Sequence, residues 1–213
     1  MKEITIYTDG ACSGNPGRGG CAGIIIDGST GQVMRTIEKG YRRTTNNRME
    51  IMAVVESLEE LRKHITFDSR DTDIKVTVCS DSQLVVNTMN KDWAKKANTD
   101  LWLQLEKAVA MFPAGSVSFV KVKGHLDNKW NIQADRHAVR ASRQPAQKLL
   151  TDRYYETISS VSMEKYDPED EITLRISCSE KRLPQVLREL ANIYERRGKA
   201  VDSETSYYMA EIN

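Results

Sequence analysis

Residues 3–27 read EITIYTDGACSGNPGRGGCAGIIID, and their pattern decides the fold. Residues 3–9 set Ile4 and Ile6 in alternation with threonines and Tyr7, the period of a strand. Residues 21–27 are an almost unbroken apolar run, which suits a strand buried on both faces. The glycine-rich stretch 10–20 between them reads as a turn, and a second turn at 27–31 leads into a third strand over 32–41, hairpin-paired with 21–27.

Farther out, residues 47–64 space apolar side chains by three and four, as a helix does, with Thr45 or Asn46 as its cap. A strand over 74–80, a helix over 82–90 and a helix over 99–112 follow, then a strand over 116–123 and a helix over 131–142. A hairpin start followed by strand–helix alternation predicts an α/β unit: one mixed five-stranded sheet with helices on both faces.

Near Pro145 the composition shifts. Residues 1–145 carry 21 Lys and Arg against 17 Asp and Glu, whereas residues 146–213 carry 10 against 13. Strand-like alternation over 172–178, a helical stripe over 179–197 and strand candidates over 154–163 and 203–212 predict a small C-terminal α+β extension, residues 144–213, after a first domain of 1–143. Its modest apolar content suggests packing or homodimerisation. No apolar run is long enough to span a bilayer, and Met1 leads directly into a strand, so a cytoplasmic chain with no membrane partner is expected. The four cysteines lack paired spacing and read as reduced thiols.

The chemistry lies in acids. Asp9 ends the first strand, Glu50 begins the long helix, Asp81 follows the strand 74–80, and Asp135 sits in the last helix. Singly, each has a commoner use, as a turn residue, a helix-dipole partner, an N-cap or a solvated charge. Together, with Asp9 and Asp81 from adjacent strands and Glu50 and Asp135 from helices packed over them, they would repel one another unless cations neutralised them, and such hard oxygens suit Mg²⁺ or Mn²⁺. Two ions could clamp both oxygens of a phosphodiester displacement.

Four motifs then line up. Thr8-Asp9-Gly10-Ala11-Cys12-Ser13-Gly14-Asn15-Pro16-Gly17, Arg43-Thr44-Thr45-Asn46-Asn47-Arg48-Met49-Glu50, Ser80-Asp81-Ser82-Gln83, and Val122-Lys123-Gly124-His125 with Asn131 and Ala134-Asp135 resemble, in order and spacing, type 1 ribonuclease H over residues 1 to 143. The resemblance implies a ribonuclease H-like fold and an endonuclease that hydrolyses the RNA strand of RNA–DNA hybrids to 5′-phosphate and 3′-hydroxyl ends. It implies catalysis by two Mg²⁺ ions, with Mn²⁺ as a substitute, held by Asp9, Glu50, Asp81 and Asp135. It also implies that His125 assists proton transfer or product release. Cys12, Asn15, Asn46, Asn47 and Gln83 would meet 2′-hydroxyls and base edges in the minor groove. Arg43, Thr45 and Asn98 would hold a DNA phosphate, and Trp93 would lie along the DNA sugars.

Two departures stand out. Segment 91–98, KDWAKKAN, is short where many relatives carry a long basic protrusion, so weaker hybrid binding is expected unless another element compensates. His137 stands where the family usually has an apolar residue, and it reads as surface or interface. The competing readings are a resolvase- or transposase-type nuclease of the same fold and an inactive hybrid-binding module. The groove set around Asn46, Asn47 and Gln83 argues against the first, and the full complement of acids argues against the second.

Overall fold

The computed structural model describes residues 2–65, 74–91, 93–123 and 128–155. His125 and nearly all of the C-terminal elements expected beyond residue 154 lie outside the described residues. The chain divides into two compact units, Met1–Asp152 and Arg153–Asn213. In the second, residues 153–155 form a helical turn where the weakest strand candidate was expected to begin.

The first unit is built on a five-stranded sheet of order β3-β2-β1-β4-β5. Its strands are β1 (Lys2–Gly14), β2 (Gly17–Asp27), β3 (Val33–Thr44), β4 (Ile74–Ser80) and β5 (Val117–Lys121). The helices are α1 (Asn46–His64), α2 (Gln83–Lys91), α3 (Thr99–Ala110) and α4 (Lys129–Ser142). β1 runs antiparallel to β2 and parallel to β4, and β4 is parallel to β5, so the sheet is mixed as expected.

The glycine-rich stretch departs from expectation. It is not an extended turn, because β1 continues to Gly14 and β2 resumes at Gly17, with Gly10 opposite Cys21 and Ala11 opposite Gly20. Glycine is a poor strand former. Packing overrides that propensity: a Cβ on Gly10 would stand 2.3 Å from the Glu50 nitrogen, and one on Gly20 would stand 2.1 Å from the Ala138 oxygen. The glycines let α1 and α4 press their backbones against the hairpin.

Successive residues of β2 face opposite ways. Ile25 joins the main core with Ile4, Ile6, Val54 and Leu58, under α1. Ile24 and Ile26 cluster with Ala134 of α4 on the other face. Helices therefore cover both faces, which explains the unbroken apolar run. α3 adds Leu101, Trp102 and Leu105 to the α1 side. After α4 the chain stays with this unit: the Leu149 side chain is buried, and Leu150 bridges to Tyr41 of β3.

Candidate active site

Strand pairing fixes the first two acids. Thr8 is the parallel partner of Ser80, so Asp9 and Asp81 emerge side by side where β1 and β4 meet. The third comes from α1. Thr45 caps that helix, its hydroxyl accepting the Arg48 N–H at 3.4 Å. Glu50 lies beyond the first turn, which holds no acid, so the dipole role considered for it does not apply. Gly10 instead allows α1 to lie directly against β1 and brings Glu50 to the strand end.

The result is a cluster in which one oxygen each from Asp9, Glu50 and Asp81 lies within 4.8 Å of the others. Asp9 and Glu50 are buried and Asp81 is half-buried. Asp135 is half-buried and falls outside that group of three, though its charge acts on Asp9.

Burial and mutual repulsion set the electrostatics. Desolvation, then the charges of Glu50, Asp81 and Asp135, push the Asp9 carboxyl up to about 9, and a hydrogen bond to Asp81 holds the proton there. Burial and the charge of Asp81 push Glu50 up to about 8, against the opposing pull of the Asn46 amide, a backbone hydrogen bond from Gly10 and the Lys121 ammonium. Glu50 Oε1 accepts from the Asn46 amide at 3.4 Å, while the buried Oε2 has no hydrogen-bond partner. A buried carboxylate oxygen without a partner is expensive. An all-oxygen donor set of this kind suits a hard divalent cation, which would satisfy Oε2 and reverse the pressure to protonate.

Around the acids, Asn131 donates to Asp81 Oδ2 at 3.4 Å, and Asn128 caps α4 by accepting from the Trp130 and Asn131 N–H groups. Lys121, at the end of β5, donates its ammonium to the Asp81 carbonyl. Sequence reading missed Lys121, since a strand-end lysine on its own reads as solvated surface.

The residues expected to contact substrate fall into two places. Asn15 and Asn46 meet, the Asn46 N–H donating to Asn15 Oδ1 at 3.1 Å. The half-buried Cys12 thiol, raised by burial, donates to the Thr44 carbonyl at 3.5 Å. Asn47 and Gln83 are exposed at the starts of α1 and α2. Thr45 and Asn98 cap neighbouring helices, Asn98 in the left-handed conformation at φ 57, and Arg43 is exposed at the end of β3. Trp93 is 45% exposed, available for stacking or sugar contact.

Sequence reading also missed the group that links those two caps. Arg48 is buried, and its guanidinium donates to both Asp100 oxygens at 2.9 and 2.8 Å and to both Asp152 oxygens at 2.7 and 2.8 Å. Thr44 adds a hydroxyl bond to Asp152 at 2.7 Å. One cation thereby joins α1, the first turn of α3 and the chain beyond α4. His137, expected at the surface or an interface, is half-buried between α4 and β3, its Nδ1 3.0 Å from Glu38 Oε2.

Comparison with known proteins places this geometry in context. Residues 1–143 match the family model RNase H. The chain is 39% identical over 155 residues to "Ribonuclease H" of Chlorobium phaeobacteroides strain BS1, covering 66% of this chain and 96% of the relative. It is 38% identical to "Ribonuclease H" of Desulforamulus reducens, covering 68% of this chain and 91% of that one. Among solved structures, LC11-RNase H1 in complex with an RNA/DNA hybrid superposes with a TM-score of 0.52 at 29% identity, covering 65% of this chain and 95% of that one.

Proposed function

The chain belongs to the RNase H family, whose members cut the RNA strand of RNA–DNA hybrids, and from that premise we propose that Asp9, Glu50, Asp81 and Asp135 are its catalytic carboxylates. One observation carries the proposal: three acids from three separate segments converge within 4.8 Å, with a buried oxygen of Glu50 left unpartnered.

Asp9, Glu50 and Asp81 would hold the metal, with Asp135 completing the set from α4. Two Mg²⁺ ions, replaceable by Mn²⁺, would supply a nucleophilic water at neutral pH and charge stabilisation for the departing 3′ oxygen. The rest falls to the chain's own groups. Asn131 orients Asp81 through its amide. Asn46 fixes one oxygen of Glu50 and leaves the other free to ligate. His125 would carry a proton to or from the reacting phosphate, and the products would be 5′-phosphate and 3′-hydroxyl ends.

Selectivity for RNA rests in this reading on Cys12, Asn15, Asn46, Asn47 and Gln83 meeting 2′-hydroxyls in the minor groove. Arg43, Thr45 and Asn98 would grip a DNA phosphate, with Trp93 against the DNA sugars. Residues 1–143 form the catalytic domain in this reading; of the extension 144–213, residues 144–152 pack on that domain, and two copies pair through the remainder, in the cytoplasm. Among the described residues no helix is long and apolar enough to cross a membrane. Light scattering tests the pairing: a species of 24.1 kDa at all concentrations removes it.

The deciding experiment compares cleavage of a labelled hybrid, duplex DNA and duplex RNA with Mg²⁺, Mn²⁺ and chelator. The expected result is metal-dependent cleavage of the hybrid's RNA strand alone, abolished by Asp9→Asn with hybrid binding retained. Cleavage of duplex DNA would favour a resolvase-type enzyme, and full activity of Asp9→Asn would refute the assigned site.

A further inference from the structure

The exposed outer face of α4 carries Arg136 and Arg140, and its C-cap residue is Arg143; spacings of four and three residues set them on one side. With Asp135 and Gln144 they line a cavity of about 560 Å³. The lining of that cavity therefore combines a proposed catalytic carboxylate with three arginines, alongside Val139, Gln144 and Pro145. Arg140 is anchored by Glu38, its Nε donating to Oε1 at 2.8 Å, yet its side chain remains 66% exposed. Arg136 and Arg143 are exposed and have no ion-pair partner among the described residues.

We propose that this arginine face of α4 is a second phosphate-binding surface, which tracks the sugar–phosphate backbone of the hybrid beyond the bond being cut. The proposal rests on the hybrid-nuclease reading above and extends it to residues outside the four motifs. Guanidinium groups bind phosphate through charge and paired N–H donors. From Arg136 to Arg143 the helix rises about 10 Å, room for about three phosphates of one strand at about 3.4 Å of axial rise each.

The surface also supplies what the short segment between α2 and α3 lacks. Of its lysines, Lys95 is paired with Glu106, which leaves Lys96, with Lys91 at the end of α2, for a polyanion. A chain with so few cations there needs phosphate contacts elsewhere, and α4, which also bears Asp135, offers them.

The test is an anisotropy titration of the full chain against a fluorescent RNA–DNA hybrid, in chelator, across a series of salt concentrations. Arg136→Gln/Arg143→Gln should weaken binding at low salt and reduce the slope of log K against log salt by about 1–2, the loss of one or two phosphate contacts. Arg136→Lys/Arg143→Lys should keep most of the slope. Lys75→Gln/Lys107→Gln removes the same charge from exposed positions on β4 and α3 and should leave the slope unchanged. Thermal melts confirm that each variant is folded.

A Gln double variant indistinguishable from the Lys75/Lys107 control overturns the α4 surface while the nuclease reading stands. A wild-type chain that neither binds nor cuts hybrid overturns both.

Discussion

Gly10 and Glu50 are in backbone contact: a single methyl group on Gly10 would stand 2.3 Å from the Glu50 nitrogen and 2.5 Å from the Met49 carbonyl carbon. The close approach of β1 and α1 is what delivers the Glu50 carboxylate to Asp9. Gly10→Ala must push α1 outward, since the atoms it meets are backbone and cannot rotate aside. The expected outcome is a destabilisation of about 1–3 kcal/mol, with activity on hybrid lost even at temperatures where a melt shows the variant fully folded. Near-normal turnover in the folded variant would show that the helix can yield without moving the acid.

The acid cluster makes the metal-free protein pH-sensitive in a definite direction. Folded-state values near 9 for Asp9 and 8 for Glu50 lie above their ordinary values of 3.8 and 4.5. The folded state thus holds more protons than the unfolded one, and stability present below about pH 4 declines as pH rises toward about 9. Thermal melts in chelator should show a falling Tm across that window. Asp9→Asn should melt above wild type at pH 8 and alongside it at pH 4. Divalent cations should raise the wild-type Tm far more at pH 8 than at pH 5. A flat Tm profile in chelator would contradict the clustering.

The buried pairing of Arg48 with Asp100 and Asp152 predicts an order of effects. Arg48→Leu leaves two carboxylates buried without their cation, whereas Asp152→Asn leaves Arg48 still paired with Asp100. Breaking a buried ion pair on one side costs about 3–5 kcal/mol. Denaturant titration should place Arg48→Leu at or beyond that range and Asp152→Asn well inside it. The reverse order would mean that Asp152 acts through something other than this cation.

Asn46 touches both parts of the site: its backbone N–H donates to Asn15 Oδ1, and its side-chain amide, which only the side chain can supply, donates to Glu50 Oε1. Asn46→Ala should raise KM for hybrid about 5- to 30-fold, the equivalent of one or two kcal/mol. It should also push Glu50 further toward the protonated form by removing a donor that lowers its pKa. The acid limb of the variant's pH–rate profile should therefore lie at higher pH than that of the wild type. Acid limbs that coincide on the pH axis for the two proteins would sink this account.

Much of the site was legible because its signals are local. The alternation of Ile4 and Ile6, the unbroken run at Ile24–Ile26 and the cap at Thr45 depend on neighbours within a few residues, and each element formed where such patterns placed it. Parallel pairing of β1 with β4 follows from strand–helix alternation, and it sets Asp9 beside Asp81. The glycines of 10–20 were misread as a turn for a related reason: local propensity describes the isolated strand, whereas the packing of α1 and α4 decides the matter.

By itself, the sequence determined the element order, the mixed sheet and the candidate acids, three of which converge, because periodicity and residue chemistry act over short distances along the chain. Only the tertiary structure decided that Arg48 is a buried hub, that Lys121 stands beside Asp81, and that Asp135 falls outside the tight group of three carboxylates. Arg48 meets partners 52 and 104 residues away. A charged side chain looks the same in sequence whether water or another charge surrounds it, and which of the two does so is settled by how helices close over the sheet.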